Sequence, residues 1–349
     1  MSRSTLRLTL ACDNRCVFCA QDGLQAAAEG EPDLVAQLAA LRLCTNEVTF
    51  VGGEPVQSSL LDAVLAACAA GFVRVGVQTN GRALARRGVA ESLARSGLTD
   101  VHVSLHGAEA SVHDYHTGVP GSFAQLLAGV GASRAAGLTV VATTVLTRSN
   151  FRVLNGIPWL LHGRNVGAWC ISVPHAAGRA EAGFDRVYPR LGLALPYALH
   201  ALEAARRVGL AAWISGAPLC ALGPYGDRAL PSLARSYAPV CEACPARVDC
   251  PGLDARYLAR FGGDELRALA AVPARAEVHA LASLFVGAGE LSPSPAVPIP
   301  ADVPAEARRS LPLLGKVKPA LAEATSATPR RSGDALREIF PDLFTPKEP

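Results

Sequence analysis

Between Leu6 and Ile214 the chain repeats one pattern: a short run rich in β-branched residues, then a longer Ala/Leu-rich stretch, then a short run again. That alternation is the mark of βα units built around a parallel sheet. The spacing predicts strands at Leu6–Leu10, Glu47–Val51, Val73–Gln78, Asp100–Leu105, Leu138–Leu146 and Ala168–Val173. It predicts helices near Asp33–Leu43, Leu60–Ala70, Ala83–Ser96, Phe123–Ala136 and Phe151–Leu161. Gly71, Gly97 and Gly137 each stand just before a strand, where a helix C-terminus favours a left-handed residue. An eight-unit barrel takes about 250 residues, so six units need roughly 190, close to the span seen. The expected fold is α/β, an open six-unit (β/α) partial barrel. A helix over Pro196–Val208 and an apolar run at Leu210–Ile214 continue it.

The expected boundaries put the barrel at 1–215, a small cysteine-rich extension at 216–270, and a helical and Pro/Ala-rich tail at 271–349. In the tail, Leu336, Ile339, Phe340, Leu343 and Phe344 keep helical spacing behind Asp334. Lys and Arg number 33 against 30 Asp and Glu, a net charge of +3, and aromatics are only 5%. Neither a basic face nor stacking platforms are evident, so nucleic-acid binding gains no support. No stretch reaches the ~18 apolar residues of a spanning helix; the longest candidate, Leu60–Val73, is interrupted by Asp62. The start, Met-Ser-Arg-Ser-Thr, has no secretory h-region. Ten cysteines in such a chain read as metal ligands rather than disulfides, in a cytoplasmic protein.

Cys12-Asp13-Asn14-Arg15-Cys16-Val17-Phe18-Cys19 follows the first strand directly. Three thiolates spaced C-x3-C-x2-C can converge on one soft metal centre. An odd number so close in sequence suits no disulfide set. Three ligands are one short of the four that saturate a [4Fe–4S] cluster, which leaves one iron open. Zinc is the alternative, but it wants a fourth protein ligand and the loop has no His.

With Phe18 in the aromatic slot before the third cysteine, this stretch resembles the radical S-adenosylmethionine (radical SAM) superfamily. The resemblance implies a [4Fe–4S] cluster on Cys12, Cys16 and Cys19, with SAM chelating the open iron. One electron then cleaves SAM to methionine and a 5′-deoxyadenosyl radical that abstracts a substrate hydrogen. An electron donor such as flavodoxin or ferredoxin is implied as partner.

Functional residues on a βα barrel collect at the C-terminal ends of strands. Gly52-Gly53-Glu54-Pro55 follows the second strand. Glycines let backbone approach a ligand, and a carboxylate beside them can accept from an ammonium; a tight strand-to-helix turn explains the same residues. The resemblance makes it the motif that holds the SAM amino group through Glu54. Gln78-Thr79-Asn80-Gly81 and Ser104-Leu105-His106-Gly107 end the next two strands. Ser104 is the SAM-contact candidate, with His106 either a contact or a supporting group. Arg148, beyond the fifth strand, is a candidate carboxylate partner or a solvated loop residue. His113, Tyr115 and His116 can face substrate or serve as capping and surface groups.

Cys220, Cys241, Cys244 and Cys250 form a second set. Four such cysteines can hold structural zinc. Beside a radical SAM core, the C-x2-C-x5-C spacing resembles SPASM/twitch extensions, which implies an auxiliary [4Fe–4S] cluster. The next cysteine of the full pattern is Asp254 here, which points to a single auxiliary cluster. Of the remaining three cysteines, Cys68 reads as core on the face of Leu61, Val64 and Leu65. Cys44 has no evident partner, and Cys170 reads as a small buried hydrophobe facing the lumen, with a radical relay as the alternative.

The expected substrate is a peptide or protein side chain, with a small molecule as the runner-up. The stretch Ser104–Phe123 and the extension look like radical SAM maturases, which favours a peptide or protein side chain. No leader-peptide-binding domain is expected ahead of the barrel, which favours a small molecule. A metal module without catalysis would need neither an open iron nor Gly52-Gly53-Glu54-Pro55 one unit later.

Overall fold

A computed structural model describes residues 3–24, 34–57, 59–230, 236–273 and 279–285. Eight parallel strands lie side by side in chain order: β1 (Ser4–Thr9), β2 (Glu47–Gly52), β3 (Arg74–Thr79), β4 (Asp100–Ser104), β5 (Thr139–Val145), β6 (Ala168–Ser172), β7 (Ala211–Ser215) and β8 (Ala229–Leu230). Among the described residues the sheet stays open, with β1 and β8 at its edges. The helices are α1 (Leu34–Arg42), α2 (Leu60–Ala69), α3 (Val89–Arg95), α4 (Ala110–Thr117), α5 (Ser122–Ala135), α6 (Ile157–His162), α7 (Gly178–Ala182), α8 (Phe184–Val187), α9 (Leu191–Arg207) and α10 (Ala255–Phe261). None of them is long and apolar enough to cross a membrane.

The first six strands fall on the predicted runs, give or take one or two residues. Two more follow: β7 on the run Leu210–Ile214, and β8, whose two residues are too few for any periodicity to announce. The stretch 83–96 is not one helix. A 3-10 turn at Ala83–Ala85 ends before Gly88, whose φ of 79° interrupts the spiral ahead of α3. Nor does α9 begin at Pro196; that residue sits inside it, five residues after the start. The tail patch around Leu336–Phe344 lies outside the described residues.

The two faces of the sheet are used differently. Outward residues such as Phe50, Val77, Val103, Ala142 and Ile171 share one core with Leu38, Leu60, Val64, Leu126 and Leu195 of the helices. Burial of each large aliphatic side chain there is worth about 1.5–3 kcal/mol. In α2 the buried stripe is Leu60, Ala63, Val64 and Ala67. Cys68 therefore lies beside the stripe, exposed, its thiol 3.6 Å from the Ser96 carbonyl, and is not core as the sequence suggested.

Toward the strand beginnings the inner face is closed. Arg3 Nη2 donates to both Asp100 carboxylate oxygens at 2.7 and 3.0 Å, and its Nε bonds the Thr49 hydroxyl. Thr99 Oγ1 (2.7 Å) and His102 Nε2 (3.1 Å) complete the carboxylate's partners. A Cβ on Gly76 would run into this ion pair, so the strand carries glycine there. Beside it, Val141, Ala168, Cys170 and Trp213 are covered by Ala282, Leu284 and Phe285. Cys170 is thus a buried hydrophobe whose thiol burial pushes up to about 12.

Residues after 215 pack onto the same outer core through Leu219, Leu222, Ala246, Leu253 and Tyr257. The Tyr257 hydroxyl accepts from Leu191 N at 2.7 Å and donates to Glu265, which also holds Arg190 at 2.7 Å.

Candidate active site

Toward the strand ends the inner face opens. Val51, Gln78, Ser104, Thr143, Ser172 and Ser215 are partly exposed, whereas their outward neighbours Phe50, Val77, Val103, Thr144, Ile171 and Ile214 are buried. A bowl results, floored by the Cys170/Trp213 layer and open at the C-terminal ends of the strands, where such folds carry their chemistry.

The cysteine loop is tied to four of those ends. Gly53 N and Glu54 N donate to the carbonyls of Thr9 (2.7 Å) and Ala11 (2.8 Å), continuing the β1–β2 pairing into the loop. A Cβ on Gly52 or Gly53 would strike the backbone of Thr9 or of Leu10 and Ala11. The glycine pair is thus required by the chain's own close approach. After β3, Asn80 Nδ2 donates to Asp13 Oδ1 at 2.7 Å, and Arg82 bridges Asp13 Oδ2 (2.9 Å) and Asn14 Oδ1 (2.8 Å). At α4, Arg15 N and Val17 N donate to the carbonyls of Thr117 and His116 at 2.8 and 3.0 Å. After β6, Arg179 N meets the Cys19 carbonyl at 2.9 Å, and its guanidinium reaches the Cys16 carbonyl at 3.2 Å and Asp22 at 2.6 Å. Gly178 (φ 54°) lets this segment pass, since a Cβ there would meet the Cys19 and Asp22 carbonyls.

The sequence singled out neither Arg82 nor Arg179. The only signal was a charged residue just beyond a strand end.

Each thiol of the loop feels the others. Burial first, then the neighbouring Cys19 and Cys12, push Cys16 up to about 12, while Arg179 pulls it down. Cys12 is also raised, mainly by burial. Thiols in that state release protons when a metal binds. Among the described residues, no three His, Cys, Asp or Glu side chains converge on a single ion. Three thiolates fit a cluster, in which each would bind a different iron.

Glu54 is fully buried. Oε1 accepts from Thr79 Oγ1 at 2.6 Å and Val56 N at 3.0 Å, and Oε2 from Asn80 N at 2.7 Å. Burial raises its pKa, and those three bonds oppose the rise. Its position makes it the tie between the ends of β2 and β3. Ser104 stands on the bowl wall. Arg148 points elsewhere: it is exposed, with its guanidinium on the Asp185 carbonyl and its N–H on Val187 O at 3.0 Å, anchoring the segment around α8.

Three buried histidines lie under the loop. The His106 ring meets Phe18 edge-on at 4.6 Å and stacks on His113 at 5.7 Å. His116 bonds Val112 O at 2.6 Å and Thr147 Oγ1 at 2.7 Å; Tyr115 is exposed. Burial lowers the pKa of all three histidines, that of His113 to about 4, and also that of His102. Unfolded imidazoles take up protons near pH 6.5 that the native ones refuse. Stability is therefore expected to fall as pH drops below about 6.5, by up to about 1.4 kcal/mol per pH unit for each such histidine. Thermal melts between pH 7.5 and 5.5 check this; a flat midpoint would mean these imidazoles are charged in the native state.

Cys220, Cys241, Cys244 and Cys250 line a single pocket. Leu219 N (3.4 Å) and Gly252 N (3.5 Å) donate to Cys250 Sγ, and Leu269 N (3.4 Å) to Cys244 Sγ. Amides aimed at sulfur fit cluster ligation. At the position of the missing cysteine, Asp254 caps α10 through Arg256 N (2.9 Å) and also binds Ala176 N (3.1 Å) and His175 (3.3 Å). It joins the extension to the end of β6.

Comparison with known proteins agrees with this arrangement. The Radical SAM superfamily model matches residues 6–151. A probable GTP 3′,8-cyclase of Methanocella arvoryzae is 36% identical over 145 residues, 40% of this chain and 46% of that protein. GTP 3′,8-cyclase 2 of Mycobacterium tuberculosis (strain ATCC 25618 / H37Rv) is 39% identical over 143 residues, covering 38% and 39%. An AdoMet-dependent heme synthase of Nitratidesulfovibrio vulgaris is 29% identical over 140 residues, covering 40% and 38%. The chain spans less than half the length of these curated relatives. SuiB of Streptococcus suis superposes with a TM-score of 0.50 at 16% identity, over 64% of this chain and 51% of SuiB, a likeness of fold. Over residues 6–151, this chain matches the radical SAM superfamily.

Proposed function

We propose that this protein is a radical SAM enzyme that abstracts hydrogen from a substrate held in the bowl. The observation that carries the reading is the loop of Cys12, Cys16 and Cys19, tied to the chain after β2, β3, β4 and β6 at the bowl's open end. Three thiolates hold a [4Fe–4S] cluster and leave one iron for the amino and carboxylate groups of SAM. Once bound, cluster and SAM supply a 5′-deoxyadenosyl radical. The chain's own residues hold the loop in register: Asn80, Arg82 and Arg179 grip its backbone and polar side chains. Glu54 acts with Gly52 and Gly53 to fix the strand ends beneath it. Ser104 offers a hydroxyl to the ligand, and Arg148 supports the fold.

Cys220, Cys241, Cys244 and Cys250 carry an auxiliary [4Fe–4S] cluster in this reading. Four thiolates leave no iron open, so its role is electron transfer or structure. A flavodoxin or ferredoxin serves as electron donor. For the substrate we favour a small molecule over a peptide. The matched relatives at 29–39% identity are named for making small molecules from GTP or for heme synthesis, whereas the peptide reading has the look of residues 104–123 in its support.

Anaerobically reconstituted protein given a strong reductant is expected to convert SAM into 5′-deoxyadenosine and methionine. Chromatography of the products tests it, and a cluster-loaded protein that forms neither would overturn the reading.

A further inference from the structure

On the bowl wall, β1 turns Arg7 inward: it alternates with Leu6, which is buried in the outer core, and shares its face with Arg3 and Thr5. Arg3, lower on that face, bonds Asp100 and Thr49 and keeps its Nη1 3.8 Å from Glu47 Oε2, too far for a hydrogen bond. Among the described residues the Arg7 guanidinium has no ion pair or hydrogen bond, and its Nε is buried without a partner. The polar groups along the bowl wall, Gln78, Ser104, Thr143 and Ser215, are neutral and partly exposed. The acids near the loop are turned away and used: Glu54 by Thr79 and Asn80, Asp13 by Asn80 and Arg82.

A buried donor on a cation without an acceptor is costly, and the cost is relieved when a ligand supplies the acceptor. A guanidinium offers a planar fork that matches a carboxylate or phosphate with two parallel bonds. Resting on the small-molecule reading above, we propose that Arg7 reads an oxyanion, carboxylate or phosphate, on the substrate. The substrate is then a polar anionic small molecule. Its charged group sits against β1 and its neutral polar groups face the hydroxyls and amide of Ser104, Thr143, Ser215 and Gln78. Because β1 runs straight into Cys12, the anion's anchor and the cluster loop belong to one continuous stretch of chain.

The test is calorimetric titration of the cluster-loaded, SAM-saturated full chain with inorganic pyrophosphate and, separately, with succinate. One of the two is expected to bind at one per chain, and Arg7→Gln to weaken that binding by at least about tenfold. Arg7→Lys, which keeps the charge and loses the fork, should fall between. Pyrophosphate binding identifies a phosphate-bearing substrate, and succinate binding a carboxylate. Absence of binding by either probe, or equal binding to wild type and Arg7→Gln, overturns the proposal. So does a Arg7→Gln protein whose loss is in SAM affinity, which would assign Arg7 to the cofactor's carboxylate. If Arg7→Gln melts early or loses iron, Arg7→Lys decides: binding equal to wild type overturns the proposal. Failure of the radical reading itself would appear elsewhere, as wild-type protein that makes no 5′-deoxyadenosine.

Discussion

Alanine at Cys12, Cys16 and Cys19 together is expected to take roughly four irons from a reconstituted protein that otherwise holds roughly eight per chain. The loop has no other side chain able to replace three thiolates: Asp13 and Asn14 are committed to Arg82 and Asn80. The second set keeps its own four thiols in a separate pocket lined by Tyr237 and Leu266, so its iron should remain. Iron and sulfide analysis of the triple variant reads this directly. Zinc in that variant would make the extension a structural metal site, and loss of all iron would mean the two sets do not load independently.

Replacing Asp100 with Ala is expected to cost about 3–5 kcal/mol, the range for stripping one partner from a buried ion pair. Arg3 and Asp100 are both almost wholly buried, so the guanidinium left behind has no water to turn to. At about 2–4 °C per kcal/mol for a domain of this size, the melting midpoint should drop by roughly 6–20 °C. Burial alone would raise the Asp100 pKa. The hydrogen bonds of His102 and Thr99 and the charge of Arg3 outweigh it and hold the carboxyl far below its ordinary range. A depressed carboxyl contributes fully above its unfolded value near pH 4 and loses that contribution only as pH falls through the folded value. The deficit should therefore be equal at pH 6 and pH 8. A melting change under about 2 °C, less than 1 kcal/mol on that scale, would show that the pair is not buried as described.

The barrel was legible because its outward strand residues are continuous apolar pairs packed under helices, and glycines mark the turns between. Val75 and Val77, or Val101 and Val103, announce strands by alternation alone. β8 was not legible, since its two residues owe their place to pairing with Ile214 and Ser215. Facing within an all-apolar helix was not legible either: in α2, Leu61 and Leu65 are as hydrophobic as Leu60 and Val64, yet they face solvent. At the site, spacing picked out Cys220, Cys241, Cys244 and Cys250, which line one pocket. Which way a charged side chain turns past a strand end depends on what the next unit offers. Arg148 found the Asp185 carbonyl, whereas Arg82 and Arg179 found the cysteine loop. Glu54 was read toward the SAM amino group from its motif; its bonds to Thr79 and Asn80, a whole unit away in sequence, were not legible there.

The central claim is that the three-cysteine loop leaves an iron open to SAM. The direct measurement is the electron paramagnetic resonance spectrum of the reduced protein carrying Ala at Cys220, Cys241, Cys244 and Cys250, recorded with and without SAM. With only the loop cluster present, the account expects the signal to change on adding SAM, and the Cys12/Cys16/Cys19 triple variant to show no such change. A loop cluster whose spectrum is indifferent to SAM would contradict it.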